Sequence, residues 1–170
     1  MYINEHFKKM SLILNFKNIA LESIGLLFLG FGVEKLKVAS QSEEYLALFS
    51  LNMEKFKSLT SETIGSFTMQ SSLWRFGALA VGLILIGLFK LWKKDKKGIW
   101  DSLIAFLLVF SLIHLGFFGA TFTNSIINFI GDIFTENFMV QFIINGLLWS
   151  AIGIGIIFFA LKKHYTQQNL

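Results

Sequence analysis

The sequence predicts an all-α integral membrane protein: a four-transmembrane-helix bundle with extracytoplasmic amphipathic helical segments. Three observations carry that expectation. Hydrophobic residues make up 54% of the 170-residue chain and charged residues only 15%, against roughly 25% charged in an ordinary soluble domain. Four apolar stretches reach or approach the ~20 residues that cross a bilayer core. Lys, Arg and Trp gather at the ends of those stretches, the pattern of membrane boundaries. Such a composition argues against a soluble globular domain, a disordered chain and a nucleic-acid-binding module. There is no Cys, which excludes disulfide scaffolds, thiolate metal sites and cysteine nucleophiles. There is also no Pro, so helices without proline kinks are expected.

The whole chain reads as one membrane domain. The first span, about residues 17–36, is apolar except for Glu22 and Ser23 over Ile19–Val33. Lys17 and Glu22 interrupt it, so no cleavable signal peptide is expected. The second span, 73–92, carries Trp74 and Arg75 at one end and Lys90 and Trp92 at the other. The two indoles stand about 27 Å apart at the helical rise, close to the thickness of a bilayer core. The third span, about 100–120, holds His114 as its one titratable group past Asp101, and the fourth, 138–161, is uncharged up to Leu161, with Gln141 and Asn145 as polar breaks.

Charge orients these spans. Lys8, Lys9, Lys17, Lys90, Lys93, Lys94, Lys96, Lys97, Lys162 and Lys163 fall on one side, and Lys35, Lys37, Lys55, Lys57 and Arg75 on the other. Cationic residues stay cytoplasmic, so both termini are expected inside. The formal net charge of +4 then reflects topology and attraction to anionic lipid. Of the outer links, 37–72 is long enough to need structure of its own. Tyr45, Leu48, Phe49, Met53 and Phe56 recur at helical spacing within it. The second, about 122–135, places Phe122, Ile126, Phe129, Ile130, Ile133 and Phe134 opposite Thr123, Asn124, Asn128 and Asp132. It is expected as one amphipathic helix, either lying in the outer interface or closing over the bundle.

Glu22 is the most expensive residue of the chain, because a carboxylate within a membrane helix costs roughly 2.5–3.5 kcal/mol at the centre. It is a candidate ligand or proton site, or else it sits near the headgroups, solvated or paired. Asn18, four residues earlier, shares its face. His114 is a candidate ligand, proton-relay or quinone-headgroup donor, or a His hydrogen-bonded to Ser111 or a neighbouring helix. Glu22 and His114 fall at opposite depths, so no acid–base pair and no independent catalytic activity are expected. No second buried His accompanies His114, so neither a haem nor a metal site is expected. Asn18 and Asn145 are further candidates for the ligand or proton site, and Asn145 alternatively hydrogen-bonds across helices. Lys35 and Arg75 are candidates for a headgroup or anionic ligand, or simply snorkel. Gly25 and Gly32 on the first span, and Gly146, Ser150 and Gly153 on the fourth, are small residues that allow close helix packing.

The string Gly25-Leu-Leu-Phe28-Leu-Gly-Phe-Gly32-Val-Glu-Lys35-Leu36, the run Gly77–Lys90 with its basic hairpin, and Leu112-Ile-His114-Leu-Gly116-Phe resemble the DoxX-like family of small four-helix bacterial membrane proteins. The resemblance covers Ile19 to about Phe118. Family members usually carry Arg near the position of Glu22, so the local charge is inverted here. The resemblance implies a bacterial cytoplasmic (inner) membrane protein, accessory or redox-linked, binding a quinone or other lipophilic ligand. Two alternatives stay open: an oligomeric ion-conducting pore or membrane-disrupting effector, and an anchored interaction protein docking a partner through 37–72. Membrane lipids, a second copy or a membrane-complex component are the expected partners.

Overall fold

The computed structural model describes residues 15–41, 61–118 and 122–168. These are all-helical: α1 (Phe16–Ser40), α2 (Ser61–Trp92), α3 (Lys96–His114), a π-helical turn (Thr123–Ile127), α4 (Phe129–Phe134) and α5 (Phe138–Gln168). Among the described residues three helices are long and apolar enough to cross a membrane: α2 from Gly65, α3, and α5 to Thr166. The helical periodicity read over Tyr45–Phe56 lies outside the described residues.

Local chemistry sets the ends. Asn15 caps α1, its side chain accepting the Asn18 N–H at 3.1 Å. Asp95 caps α3 through the Gly98 N–H at 2.8 Å. Between α2 and α3 the chain turns in three residues. Asp95 N–H donates to Lys90 O, Lys94 N–H donates to Leu91 O, and Lys94 takes a φ of 58°, which together form a Schellman closure. The same closure ends α3. Phe117 N–H donates to Leu112 O, Gly116 N–H donates to Ile113 O, and Gly116 has a φ of 77°. The third helix therefore stops at His114 rather than running to residue 120. The other helices exceed the expected spans: α2 begins twelve residues earlier than residue 73, and α5 continues seven beyond 161.

The helix with the most charges is the central one. α1 packs on α2, α3 and α5 and buries Asn18, Glu22, Ser23 and Lys35 along with its apolar residues. Its partners turn Val81, Ile84, Leu85 and Leu88 of α2, Leu107 and Leu108 of α3, and Ile154, Phe158 and Phe159 of α5 outward. So broad an exposed apolar belt is what a multi-pass membrane protein offers to lipid. The main core joins Leu26, Leu27 and Phe31 of α1 to Leu79, Ile86, Val109, Ile113, Ile127 and Trp149.

The longest contact is the antiparallel crossing of α1 with α5. A Cβ on Gly25 would stand 3.0 Å from Gly153 O, one on Gly153 2.7 Å from Gly25 O, and one on Gly146 2.9 Å from Leu36 N. A Cβ on Gly32 would run into the Ser150 backbone nitrogen. The structure thus brings Gly25, Gly32, Gly146, Ser150 and Gly153 into one seam where the backbones touch, as small residues permit.

The segment 122–135 is not the single amphipathic helix expected. It breaks at Asn128 between the π turn and α4. The periodic face is split: Phe122 and Ile130 pack on the core and Ile127 and Gly131 are buried beside them, while Ile126, Phe129, Ile133 and Phe134 point away. Tertiary hydrogen bonds decide this. Trp149 Nε1 donates to Ile127 O at 2.8 Å, and Asn145 accepts the Gly131 N–H at 2.8 Å while donating to Asn128 O at 3.0 Å.

Gly32→Ala and Gly153→Leu are expected to lower thermal stability in detergent by about 1–3 kcal/mol through overpacking. Gly155, whose Cβ position is open space, is expected to tolerate Ala with no loss or a gain of up to about 1 kcal/mol. Circular-dichroism melts of the three variants check this.

Candidate functional site

The N-terminus of α1, the α2–α3 turn and the C-terminal part of α5 meet at one end of the bundle, here called the lysine-rich end. There Glu22 is fully buried and accepts at both carboxylate oxygens. Its Oε1 accepts from Asn18 Nδ2 at 2.7 Å and from Lys90 Nζ at 2.5 Å, and its Oε2 accepts from Ser102 Oγ at 2.6 Å. Lys90, also fully buried, uses all three of its N–H groups. Besides Glu22 they reach Gly98 O at 2.9 Å and Ser102 Oγ at 2.7 Å. The ion pair therefore joins α1, α2 and α3, with one helix supplying each of Glu22, Lys90 and Ser102. Asp101, beside Ser102 and buried, accepts the Asn15 N–H at 3.3 Å. It places a carboxylate at the N-terminus of α1, where a helix favours negative charge.

Of the readings of Glu22, the geometry matches the paired one: the residue is buried and held by Lys90, Asn18 and Ser102. An acid and a base do share one depth, because Glu22 finds Lys90 rather than His114. Chemically the pair is occupied: both Glu22 oxygens accept, and all three Lys90 N–H groups are donated, leaving the ammonium no free proton for a ligand. It locks helices. Sequence reasoning placed Lys90 among the boundary cations and passed over Ser102, Asp101, Asp95 and His164. One signal was available: Lys90 precedes Trp92, the boundary indole, and so lies inside the span at a depth comparable to that of Glu22.

A second contact closes the same end. Asp95 Oδ2 lies 2.7 Å from His164 Nε2 and 3.3 Å from the Tyr165 hydroxyl, which donates to it. An ionised carboxylate only accepts, so Nε2 carries the hydrogen. Burial pushes the Asp95 carboxyl up, but the Gly98 N–H, His164 and Tyr165 outweigh it and hold the group below its ordinary range.

The remaining candidates are spread over the far end. Arg75 pairs with Glu34 at 3.3 Å, and its guanidinium lies 5.2 Å from the Phe31 ring and 5.4 Å from that of Phe76. Lys35 is buried with its ammonium 5.3 Å from the Phe142 ring. Both cations are thus turned into the protein rather than out along the surface. Asn145 clamps the segment after α3 through Gly131 N–H and Asn128 O. His114 faces outward, stacked parallel on Phe110 at 6.1 Å, well away from Glu22. Among the described residues no group of three His, Cys, Asp or Glu is arranged to hold a metal.

What remains open is apolar. α2 and α5 flank α1 and meet through the edge-to-face contact of Phe89 with Tyr165 at 5.7 Å, and two clefts lie between them. The first, about 480 Å³, is lined by Leu29 and Val33 of α1, Trp74, Gly77 and Val81 of α2, and Ile154 of α5. The second, about 520 Å³, lies at the lysine-rich end between α2 and α5. Leu85 borders both. Volumes of this size suit small-molecule ligands. Compared with protein-family models, with curated proteins and with solved structures, the chain matches none of them.

Glu22→Gln and Lys90→Met are each expected to destabilise by about 3–5 kcal/mol, because each leaves a buried partner uncompensated. The double variant is expected to lose clearly less than the sum; equilibrium unfolding in detergent measures all three. Asp95→Asn keeps a capping acceptor but no titrating carboxyl. Because the folded pKa is depressed, the charge contributes stability above the ordinary Asp value and loses it as pH falls through the folded one. Melts are expected to show wild type above Asp95→Asn at pH 7, with the gap shrinking below about pH 4.

Proposed function

We propose that this chain is a four-span protein of the bacterial cytoplasmic membrane that holds a lipophilic molecule in the 480 Å³ cleft between α1, α2 and α5. The observation that carries the reading is the cleft itself: an apolar recess with Gly77 on its wall, where a Cβ would meet nothing within 4 Å. Gly77 leaves open a volume that a larger side chain would fill. The Lys37 ammonium lies 5.8 Å from the ring of Trp74, which lines the cleft, so a charge stands beside an apolar chamber, the arrangement of many ligand sites. A quinone or similar molecule fits that division, with its ring system beside Trp74 and its tail against Val81 and Leu85.

Counting α1 as a fourth span is supported by its length of 25 residues and its place among three apolar helices. The end that gathers the N-terminus of α1, the lysine turn and the end of α5 corresponds by the positive-inside rule to the cytoplasm. The resemblance of Gly25–Leu36 and Leu112–Phe117 to the DoxX-like family supports the same accessory, redox-linked role. A cation pore lined by Glu22 draws no support, because Asn18, Lys90 and Ser102 already occupy that carboxylate.

Native mass spectrometry of protein released from lipid nanodiscs tests the proposal. Wild type is expected to retain a lipophile and Gly77→Phe to lose it. Leu107→Phe, on the exposed face of α3, is expected to behave as wild type. Retention unchanged by Gly77→Phe, or no retained lipophile at all, overturns the reading.

A further inference from the structure

We propose that the second cleft, between α2 and α5 at the lysine-rich end, binds an anionic phospholipid in the leaflet that this end faces. The inference rests on the reading that the chain crosses a membrane, but not on the ligand of the first cleft. The cleft measures about 520 Å³, and Leu85, Ile86, Phe89, Ile157 and Phe158 wall its deeper part. An acyl chain is the occupant such a wall accepts. Its other end is different in kind: Lys93 comes from the end of α2, and Lys162 from the facing turn of α5. Two ammonium groups from two helices thus stand over one apolar slot, at the level where a phosphodiester sits when its acyl chains lie below. Basic recesses between helices at a membrane face are suited to such headgroups.

Local contacts preserve that charge. Lys93 Nζ lies 4.4 Å from the Trp92 ring and 6.0 Å from that of Phe89, cation–π contacts that position the ammonium while leaving its N–H groups for an anion. Asp95 is the nearby carboxylate that would oppose a phosphate. Its acceptors are taken by the Gly98 N–H, His164 and Tyr165. Tyr165 also lines the cleft, so the Asp95 contact shapes the wall as well. Lys94, Lys96, Lys97 and Lys163 surround the mouth in sequence, but they do not line it.

The test uses the full chain in detergent, titrated with dioleoyl phosphatidylglycerol or dioleoyl phosphatidylcholine and read by native mass spectrometry. Each surface lysine contributes about fivefold in affinity for an anionic lipid, so phosphatidylglycerol is expected to be preferred about 25-fold. Lys93→Gln with Lys162→Gln is expected to bring the two lipids near parity. Both side chains are exposed, and helicity is expected to stay unchanged. The charge-matched control, Lys94→Gln with Lys97→Gln, is expected to keep most of the preference. Gly77→Phe is expected to leave it intact, which separates this site from the first cleft. Equal retention of both lipids in wild type overturns the proposal. So does an equal loss in the control, which would mean diffuse surface charge. Competition by glycerol 3-phosphate at the same concentration as the lipid also overturns it, since the phosphate alone would then be the ligand.

Discussion

The pair between Glu22 and Lys90 is the constraint on which the rest of this structure depends. Two opposite charges removed from solvent repay their desolvation only when geometry and hydrogen bonding are complete. Here they are nearly so: three donors converge on the carboxylate, and all three ammonium hydrogens are used. Because Glu22, Lys90 and Ser102 come from α1, α2 and α3, satisfaction of the pair requires those helices to meet at one depth. The remaining contacts at that end follow the same geometry. Asp101 reaches the start of α1, and Asp95 ties the α2–α3 turn to the end of α5.

With α1 held at the centre, its other side is free to meet α5 backbone to backbone. The glycine seam supplies no polar attraction of its own; its contribution is van der Waals contact at short range, which matters where lipid offers no hydrophobic drive. The two devices divide the labour, one fixing depth and the other fixing separation. Their joint effect is that α2 and α5 are both drawn to α1. The clefts between them are therefore consequences of how α1 is held, and their chemistry differs because their ends do. One opens beside Trp74 and the other under Lys93 and Lys162.

The candidate site was legible one residue at a time. Glu22 and Asn18 declared themselves by cost and spacing, and the seam residues by size. Lys90 did not, because a lysine near a helix end has a cheaper explanation in membrane topology, and nothing in one chain's order of residues says which face it shares with a carboxylate 68 positions away. The segment 122–135 shows the opposite failure. Its apolar period is real, and Phe122 and Ile130 pack on the core, yet the buried residues are Ile127 and Gly131, because Asn145 and Trp149 capture backbone groups there and only a residue without a Cβ lets α4 approach Gln141. Hydrogen bonds to backbone leave no trace in hydropathy.

The sequence by itself determined the all-helical architecture, the apolar belt, the basic turn and the small residues that a close crossing needs. These depend on composition and on spacing within a single helix, where 3.6-residue periodicity and burial cost act locally. Only the tertiary structure decided that α1 is central, that Glu22 meets Lys90, that His114 turns outward, and that clefts open between α2 and α5. Each of these depends on the rotation of one helix relative to another. That rotation is set by pair contacts across long stretches of chain, which no local pattern encodes.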